Sequence, residues 1–250
     1  MGRYRIEGGH RLEGRVRVQG SKNAVLPMMA ASLLQKGTVI LRHCPRIDDV
    51  RCMEEILRYT GARTWWQKGD LFLDCRDIVT GKIPGAYADK MRSSVFLLGG
   101  LLPRLGSAFV SYPGGCTIGQ RPVDLHLSVL RALGAKLTET EEGISASAGR
   151  LRGCSHHFPK ISVGATENGV LAAVLAEGET CLYNCAREPE ILHLCRFLRR
   201  MGAVIQGEES GMIRIRGVSG LHSAEMEVPA DRIAAGTYLL AGAATRGEVA

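Results

Sequence analysis

The sequence predicts an α/β fold assembled from repeated units, and three observations lead to this class. Stretches rich in alanine and leucine, with the period of a helix, each run through a glycine turn into a β-rich segment. The turn glycines Gly37, Gly106, Gly178 and Gly247 follow one another at intervals of 69, 72 and 69 residues. A second type of helix, which ends at Gly-Ala, recurs in phase with the first. Because each unit is longer than the roughly 20 to 50 residues of common solenoid repeats, it is a small α/β subdomain.

The first helix of each unit is rich in small apolar residues. The stretches that contain this helix and the strand after it are MMAASLLQKGTVIL, LLGGLLPRLGSAFVSY, VLAAVLAEGETCLY and YLLAGAATRGEVA. Alanine and glycine at the apolar positions allow neighbouring helices to approach closely. We therefore expect these helices to pack in the centre, with the strands forming sheets outside them.

The second helix of each unit ends at a glycine and leads into two short strands. Gly61, Gly134 and Gly202 stand at this place in ILRYTGARTWW, VLRALGAKLTE and FLRRMGAVIQG, and are predicted helix C-caps. The turn between the two strands is marked by QKGD, EEGI and ESGM. Each unit thus reads helix, strand, helix, strand, strand, and we expect residues 21–229 to form one compact domain of three equivalent units.

A fourth unit begins at PADRIAAGT and stops in its first strand. An isolated last strand would leave backbone groups unpaired. We therefore expect the chain to be a truncated portion of a longer protein.

Composition and charge narrow the class of partner. The chain is 45% apolar, which suffices for a buried core, and its net charge of +7 favours an anionic partner: nucleic acid, a membrane surface or a phosphorylated metabolite. Aromatic residues make up only 5% and the basic residues are spread along the chain, which disfavours nucleic acid. The longest apolar stretch, residues 95–110, is broken by Pro103 and Arg104, and the charged N-terminus lacks the apolar stretch of a signal peptide. We expect a cytoplasmic protein that binds no membrane.

The eight cysteines include no C-x-x-C pair, so free thiols in a reducing compartment are expected. Cys181 and Cys185 with His193 could be imagined as metal ligands, but a fourth ligand and a usual spacing are missing. Ordinary packing of these side chains is therefore favoured, and no metal or other cofactor is expected.

The segment YPGGCTIGQRPVDLH, residues 112–126, is the densest functional signal. Its proline and glycines predict an irregular loop of the kind that can cover a bound ligand. Cys116 stands in the middle of the loop, with Arg121 five residues later. A thiol beside an arginine and an anionic substrate can serve as nucleophile or general acid. The alternative, a small buried cysteine, is favoured for the other seven cysteines but not for Cys116.

Polar residues also recur where the first helix of each unit begins. SKNAVLP places Lys22 and Asn23 at the start of the first helix, where the helix dipole favours anions, although a Lys-Asn pair alone is usually an ordinary exposed helix start. Arg92 opens the second unit, and the third begins after KIS in VGATENGV. In a repeat protein, polar residues at the equivalent helix N-termini of three units can come together and form one binding site.

These strings together resemble one family. SKNAVLP, MRSS, PGGCTIGQRPVDLH, KISVGAT, CAREPEI and PADRIAAGT are similar, in order and spacing, to the bacterial UDP-N-acetylglucosamine 1-carboxyvinyltransferases. The related enolpyruvyl transferases of the shikimate pathway share the repeat but lack the cysteine loop. The resemblance implies an inside-out α/β barrel of the enolpyruvate transferase type, built from β-α-β-α-β-β units in two domains with the active site between them. Residues 1–20 and 230–250 would belong to the second domain, here incomplete.

The resemblance also implies an activity. An enzyme of this family transfers the enolpyruvyl group of phosphoenolpyruvate to the 3-hydroxyl of UDP-N-acetylglucosamine, releases phosphate and so commits the sugar nucleotide to peptidoglycan and cell wall synthesis. Cys116 would be the catalytic general acid and the target of fosfomycin. The substrate-binding residues implied are Lys22, Asn23, Arg92, Arg121, Pro122, Val123, Asp124, Leu125, Lys160, Ile161, Ser162, Val163 and Gly164.

Glu188 and Asp231 match charged family positions near the cleft, but a structural ion pair is an equal alternative.

In the family, the aspartate that deprotonates the sugar hydroxyl and the arginines that clamp phosphoenolpyruvate lie in a part of the second domain that this chain does not include. A sugar-nucleotide-binding module without turnover is therefore the alternative function, and a nucleic-acid-binding protein, supported only by the net charge of +7, is a third.

Overall fold

The computed structural model describes residues 3, 5, 7–112 and 122–250. Helices alternate with strands along the chain, as the repeat predicts. The helices are α1 (Lys22–Ala31), α2 (Asp48–Tyr59), α3 (Gly85–Ala88), α4 (Phe96–Leu105), α5 (Asp124–Ala132), α6 (Val163–Ala173), α7 (Pro189–Arg200) and α8 (Arg232–Ala244). Two short 3₁₀ segments, Ser32–Leu34 and Arg92–Val95, follow α1 and precede α4.

The described strands form three four-stranded sheets and one two-stranded pair. The strands are β1 (Glu13–Gly14), β2 (Thr38–Arg42), β3 (Arg63–Gln67), β4 (Asp70–Asp74), β5 (Lys82–Ile83), β6 (Ser107–Ser111), β7 (Lys136–Thr140), β8 (Gly143–Ser147), β9 (Ser155–His157), β10 (Glu179–Tyr183), β11 (Val204–Gln206), β12 (Ile213–Arg216), β13 (Glu225–Glu227) and β14 (Glu248–Val249).

The three sheets have one common topology. Each contains three antiparallel strands of its own unit, and its fourth strand comes from the preceding unit and runs parallel. Thus β5 joins β6, β9 joins β10, and β13 returns to β2 of the first unit, where Met226 is paired with Leu41. This last pairing closes the three units into a ring.

The first helices of the three units occupy the centre. Eight residues of α1 are buried, from Ala24 to Ala31, and in α6 every residue from Ala165 to Ala173 is buried. In α4 the buried run extends from Phe96 to Leu102. The outer helices α2, α5 and α7 bury only one face each. The predicted arrangement, with helices inside and sheets outside, is therefore present.

The three central helices run in the same direction. At the end of α4, Arg104 donates hydrogen bonds to the carbonyl oxygens of Leu33 (2.8 Å) and Gln35 (2.7 Å), just beyond the end of α1. At the opposite end, a β-carbon on Gly164 of α6 would lie 3.5 Å from Cε1 of Phe96, the first residue of α4. The N-termini of all three helices therefore lie at one end of the bundle, which is the condition for a converging site.

The predicted C-cap glycines end their helices as expected. Gly61, Gly134 and Gly202 have φ angles of +108°, +91° and +101°, in the left-handed region that favours glycine. These turns direct the chain from α2, α5 and α7 into the hairpins of the three sheets.

Beyond the ring, α8 leads to β14, which pairs in parallel with β1. Arg232 at the start of α8 contacts Glu190 of α7 through two hydrogen bonds of 3.0 and 3.2 Å. The rest of α8 exposes large apolar side chains, with Leu239 61% and Leu240 72% accessible.

Candidate functional site

The entrance of α1 is capped by Ser21 and lies beside Asp49 of α2. Ser21 caps the helix by accepting the backbone N–H of Ala24 (3.4 Å). Lys22 is half-buried and its Nζ lies 3.8 Å from Oδ1 of Asp49, whereas Asn23 is exposed. Lys22 and Asn23 thus stand in the first turn, where the positive end of the helix dipole reinforces their preference for anions.

Asp231 links the entrances of α1 and α8. Its Oδ1 accepts the backbone N–H groups of Ile233 (2.9 Å) and Ala234 (3.1 Å), which caps α8. Its Oδ2 accepts the backbone N–H of Lys22 at 3.4 Å. In this structure Asp231 has a helix-capping role. Glu188 stands at the N-cap of α7 and accepts the backbone N–H of Arg187 (2.9 Å).

Arg92 meets the segment that precedes α5. Its Nη2 donates to the carbonyl oxygen of Pro122 at 3.3 Å. Pro122 and Asp124 are exposed, while Val123 and Leu125 are partly buried. The structure therefore brings Arg92 together with the expected binding segment 122–125. Cys116 and Arg121 lie outside the described residues.

The segment 160–164 forms the entrance of α6. Ser162 caps the helix, with its Oγ accepting the backbone N–H of Ala165 (3.3 Å) and its carbonyl oxygen accepting the Thr166 hydroxyl (2.8 Å). Lys160 and Ile161 are exposed just before the cap, and Ile161 is 57% accessible. Exposed groups beside a helix N-terminus suit an anionic ligand such as a diphosphate.

His126 connects these two segments. It lies in the first turn of α5, directly after segment 122–125, and a β-carbon on Gly164 would be only 3.0 Å from its Cε1. On its other side, His126 Nδ1 is 3.3 Å from Nδ2 of Asn168 in α6. Burial lowers the pKa of His126 to about 4, with a further lowering from Arg92. Segments 122–125 and 160–164 are therefore joined through a buried, neutral imidazole.

His126 lies in the segment 112–126 that the sequence marks as functional, but neither His126 nor Asn168 was predicted to be a catalytic or substrate-binding residue. The sequence signal for Asn168 was the polar run Thr166, Glu167 and Asn168 inside an otherwise apolar helix. In the structure all three side chains are almost completely buried. A polar run in the middle of a central helix requires partners from neighbouring elements, and such partners are not visible in a single sequence.

Glu167 is the most deeply buried carboxyl group near the site. No described residue bonds to its Oε1. Burial raises the pKa of Glu167 well above its ordinary value, and the neighbouring carboxyls of Glu190 and Glu188 raise it further. Folding therefore favours the protonated form of the Glu167 carboxyl, and its ionisation opposes folding.

Glu167→Gln is expected to stabilise the protein at pH 7 and above. A carboxyl whose pKa is higher folded than unfolded binds its proton more tightly in the folded state, so wild-type stability is complete below the unfolded pKa and falls as pH rises toward the folded pKa. Unfolding in urea at a series of pH values should show a wild-type free energy of unfolding that falls above about pH 5, and a variant gain of more than about 1 kcal/mol at about pH 8.

The matched control is Glu177→Gln, because Glu177 is exposed just beyond α6. This change should leave the pH profile unchanged. If Glu167→Gln gave the same profile as the control, the pKa of Glu167 would be no higher in the folded than in the unfolded chain.

None of the helices in the described part of the chain is long and apolar enough to cross a membrane. Among the same residues, no group of three or more His, Cys, Asp or Glu side chains is placed to hold a metal ion.

Curated relatives resemble the chain throughout its length. The UDP-N-acetylglucosamine 1-carboxyvinyltransferase 2 of Caldanaerobacter subterraneus is 47% identical over 249 residues, which cover 100% of this chain and 60% of that protein. The UDP-N-acetylglucosamine 1-carboxyvinyltransferase of Rickettsia bellii is 48% identical, with coverage of 98% and 59%. The resemblance drawn from the motifs is confirmed. The chain spans about 60% of the length of the curated relatives it matches.

Solved structures share the fold. The enolpyruvyl transferase NikO from Streptomyces tendae superposes with a TM-score of 0.82 at 23% identity, over 94% of this chain and 56% of that chain. An EPSP synthase from Acinetobacter baumannii has a TM-score of 0.73 at 21% identity, over 93% and 53% of the two chains. The predicted fold class, an inside-out α/β barrel of the enolpyruvate transferase type, is confirmed.

The comparison with protein families agrees with the relatives and the solved structures. The match to the EPSP synthase (3-phosphoshikimate 1-carboxyvinyltransferase) family extends over residues 6–250. The ring of three sheets around parallel central helices, the whole-length relatives and this match lead to one conclusion: the chain belongs to the EPSP synthase (3-phosphoshikimate 1-carboxyvinyltransferase) family.

Proposed function

We propose that the protein transfers the enolpyruvyl group of phosphoenolpyruvate to the 3-hydroxyl of UDP-N-acetylglucosamine, with release of phosphate, as the first committed step of peptidoglycan synthesis. The observation that carries the proposal is the common end of α1, α4 and α6, where three polar helix entrances of the repeat lie together. The choice of substrates is inferred from curated relatives that are 46–49% identical to the chain and are named UDP-N-acetylglucosamine 1-carboxyvinyltransferases.

Phosphoenolpyruvate would bind at the entrance of α1. Its phosphate and carboxylate carry several negative charges, which Lys22 can meet as a point charge and Asn23 as a hydrogen-bond donor. Arg92, held toward the segment 122–125, and Arg121 would add positive charge around both substrates. Since Nζ of Lys22 is only 3.8 Å from Oδ1 of Asp49, a bound anion would compete with this carboxylate for the ammonium group.

UDP-N-acetylglucosamine would bind between segments 122–125 and 160–164. Exposed Lys160 and the N-terminus of α6 suit the diphosphate, and exposed Asp124 can accept hydrogen bonds from uracil or sugar groups. The junction of the two segments at His126 supports a single ligand that touches both.

Cys116 would act as the general acid. Its thiol proton is transferred to the methylene carbon of phosphoenolpyruvate while the sugar 3-hydroxyl adds to the adjacent carbon and loses its proton, which gives a tetrahedral intermediate. Loss of a proton from the new methyl group then expels phosphate and leaves the enolpyruvyl ether. The resemblance implies that an aspartate of the second domain accepts the hydroxyl proton.

We propose that residues 21–229 form the first domain and that residues 1–20 and 230–250 belong to the second. The ring of sheets supports this division, because β13 closes it at Glu227. The exposed apolar side chains of α8 and the pairing of β14 with β1 are expected for segments that contribute to another core.

Incubation of the purified chain with both substrates tests the reaction. Phosphate release and the mass of the enolpyruvyl product are measured with and without the C-terminal part of the Caldanaerobacter subterraneus relative. Product that depends on both substrates and disappears in Cys116→Ser supports the proposal. No product in either mixture, together with no binding of UDP-N-acetylglucosamine, contradicts it.

A sugar-nucleotide-binding module without turnover is the second candidate. The observation in its favour is that the chain spans about 60% of the length of its relatives. Saturable binding of UDP-N-acetylglucosamine without product, even after the C-terminal part is added, would favour this alternative.

A further inference from the structure

A hydrogen-bonded side chain joins the helices α4, α5 and α6 behind the candidate site. Asn168 of α6 is completely buried. Its Oδ1 accepts the backbone N–H of Gly99 at 2.9 Å, and its Nδ2 lies 3.3 Å from the carbonyl oxygen of Val95 and 3.3 Å from His126 Nδ1. A backbone N–H only donates and a carbonyl only accepts, so these two partners fix the orientation of the amide.

The amide in turn fixes the imidazole. Because Nδ2 of Asn168 can only donate, Nδ1 of His126 must accept, and the neutral ring carries its proton on Nε2. Protonation of Nδ1 would place its hydrogen in unfavourable contact with the hydrogens on Nδ2 of Asn168. Burial lowers the pKa of His126 to about 4 and Arg92 lowers it further, while Asp124 acts in the opposite direction. The ring is therefore neutral across the physiological range.

The edge of the ring that carries Nε2 faces the entrance of α6. A β-carbon on Gly164 would lie 3.3 Å from Nε2 and 3.0 Å from Cε1. Phe96 of α4 packs on the ring with a centroid distance of 6.3 Å. Nε2 of His126 thus lies beside segment 160–164, within electrostatic reach of Arg92 and Asp124 and next to the apolar ring of Phe96.

We propose that Asn168 is a positioning residue of the candidate site: it holds His126 as the neutral imidazole with its hydrogen on Nε2, directed toward the entrance of α6. There the ring provides a neutral donor for an acceptor oxygen of the ligand, beside the cationic Arg92. Asn168 acts only through His126. The identity of the ligand, UDP-N-acetylglucosamine, rests on the proposed function. The assignment of the His126 hydrogen to Nε2 does not depend on that function.

Nitrogen NMR of the histidine rings in the free chain tests the state of the ring. The spectrum of His126, assigned by its loss in His126→Gln, should show Nε2 as the protonated nitrogen and Nδ1 as the bare nitrogen from about pH 6 to about pH 8.5. A proton on Nδ1 in the wild-type chain overturns the proposal, whatever the variants do.

Asn168→Asp is the variant that reverses the hydrogen bond. A carboxylate can still accept from the Gly99 N–H, but its other oxygen faces Nδ1 and attracts a proton there. At low pH the resulting imidazolium keeps the Nε2 hydrogen. When pH rises, the ring loses the proton from Nε2, because the carboxylate holds the one on Nδ1, and the donor toward segment 160–164 disappears.

Affinity for UDP-N-acetylglucosamine supplies the second measurement. The ratio of variant to wild-type dissociation constants should rise at least about tenfold between about pH 6 and about pH 8.5, as expected for the loss of one hydrogen bond to a charged acceptor. Because ionisation of a buried carboxyl opposes folding as pH rises, the rise in the ratio supports the positioning role only if unfolding in urea shows Asn168→Asp folded at both pH values and the NMR spectrum shows loss of the Nε2 hydrogen over the same range. Gln206→Glu, at an exposed position of β11, makes the same amide-to-acid change away from His126 and should show a constant ratio.

The outcomes separate the two proposals. A pH-independent ratio combined with a hydrogen that stays on Nε2 in Asn168→Asp overturns the positioning role. Failure of the wild-type chain to bind UDP-N-acetylglucosamine contradicts the proposed function, and the positioning role is then decided by the NMR measurement alone.

Discussion

Cys116→Ser is expected to remove most of the enolpyruvyl transfer while leaving UDP-N-acetylglucosamine binding largely intact. A serine hydroxyl is a far weaker acid than a thiol, and general acid catalysis contributes about a hundredfold to ten-thousandfold to a rate. The sugar nucleotide would still contact segments 122–125 and 160–164. Phosphate release under saturating substrates measures the first effect, and calorimetric titration of the sugar nucleotide measures the second.

Cys116→Asp is the matched variant, because a carboxylic acid can deliver the same proton. It should retain activity and escape alkylation by fosfomycin, which requires sulfur. An inactive aspartate variant beside a fully active serine variant would show that Cys116 is not the proton donor.

Cys116 should also be the most readily alkylated of the eight cysteines. Burial raises the pKa of Cys75 and Cys185 to about 11 and that of Cys195 to about 12, so these thiols are protonated and shielded at neutral pH. Mass spectrometry after a brief treatment with iodoacetamide identifies the modified residue. Faster labelling of any of the other seven would contradict the special reactivity of Cys116.

Gly99→Ala is expected to destabilise the fold by about 3 kcal/mol, at the upper end of what overpacking of a core usually costs. A β-carbon at this position in α4 would overlap Oδ1 of Asn168 and lie 2.8 Å from its backbone oxygen in α6. The neighbouring Gly100 is equally close to α1, with a β-carbon 2.7 Å from the oxygen of Ala30. The central helices can therefore approach only because α4 has no side chains at these two points.

The matched control is Gly236→Ala in α8, where a β-carbon would meet no atom within 4 Å. The same substitution there should be neutral or stabilise by up to about 1 kcal/mol, because alanine has the higher helix propensity. Thermal or urea unfolding of the two variants gives the comparison. Equal stabilities would mean that α4 and α6 are not in close contact.

The repeat in the sequence was sufficient to predict most of the fold. The glycine spacing gave the number of units, and the left-handed conformations of Gly61, Gly134 and Gly202 follow from their positions at helix ends. The exchange of strands between units was not deduced from the residues themselves, since β5, β9 and β13 are only two or three residues long and carry little local pattern. Their pairing depends on the closure of the ring, which is a property of the whole chain.

The candidate site could be predicted to the level of segments. Ser21 and Ser162 cap helices by local hydrogen bonds, so the entrances of α1 and α6 were visible from the sequence. The link between His126 and Asn168 joins residues 42 positions apart, and no local pattern reveals it. Nor could the sequence show that Asp231, which caps α8 by local hydrogen bonds, also accepts the backbone N–H of Lys22, 209 positions away.

Ligand titration of the ¹⁵N-labelled chain, followed by amide NMR, tests most directly whether the common end of the central helices is the substrate site. UDP-N-acetylglucosamine is expected to shift the amide signals of residues 160–164 in a saturable manner. Phosphoenolpyruvate added next should shift those of Lys22 and Asn23. Saturable shifts confined to other regions, or unchanged spectra at millimolar concentrations of both ligands, would contradict the assignment of this site.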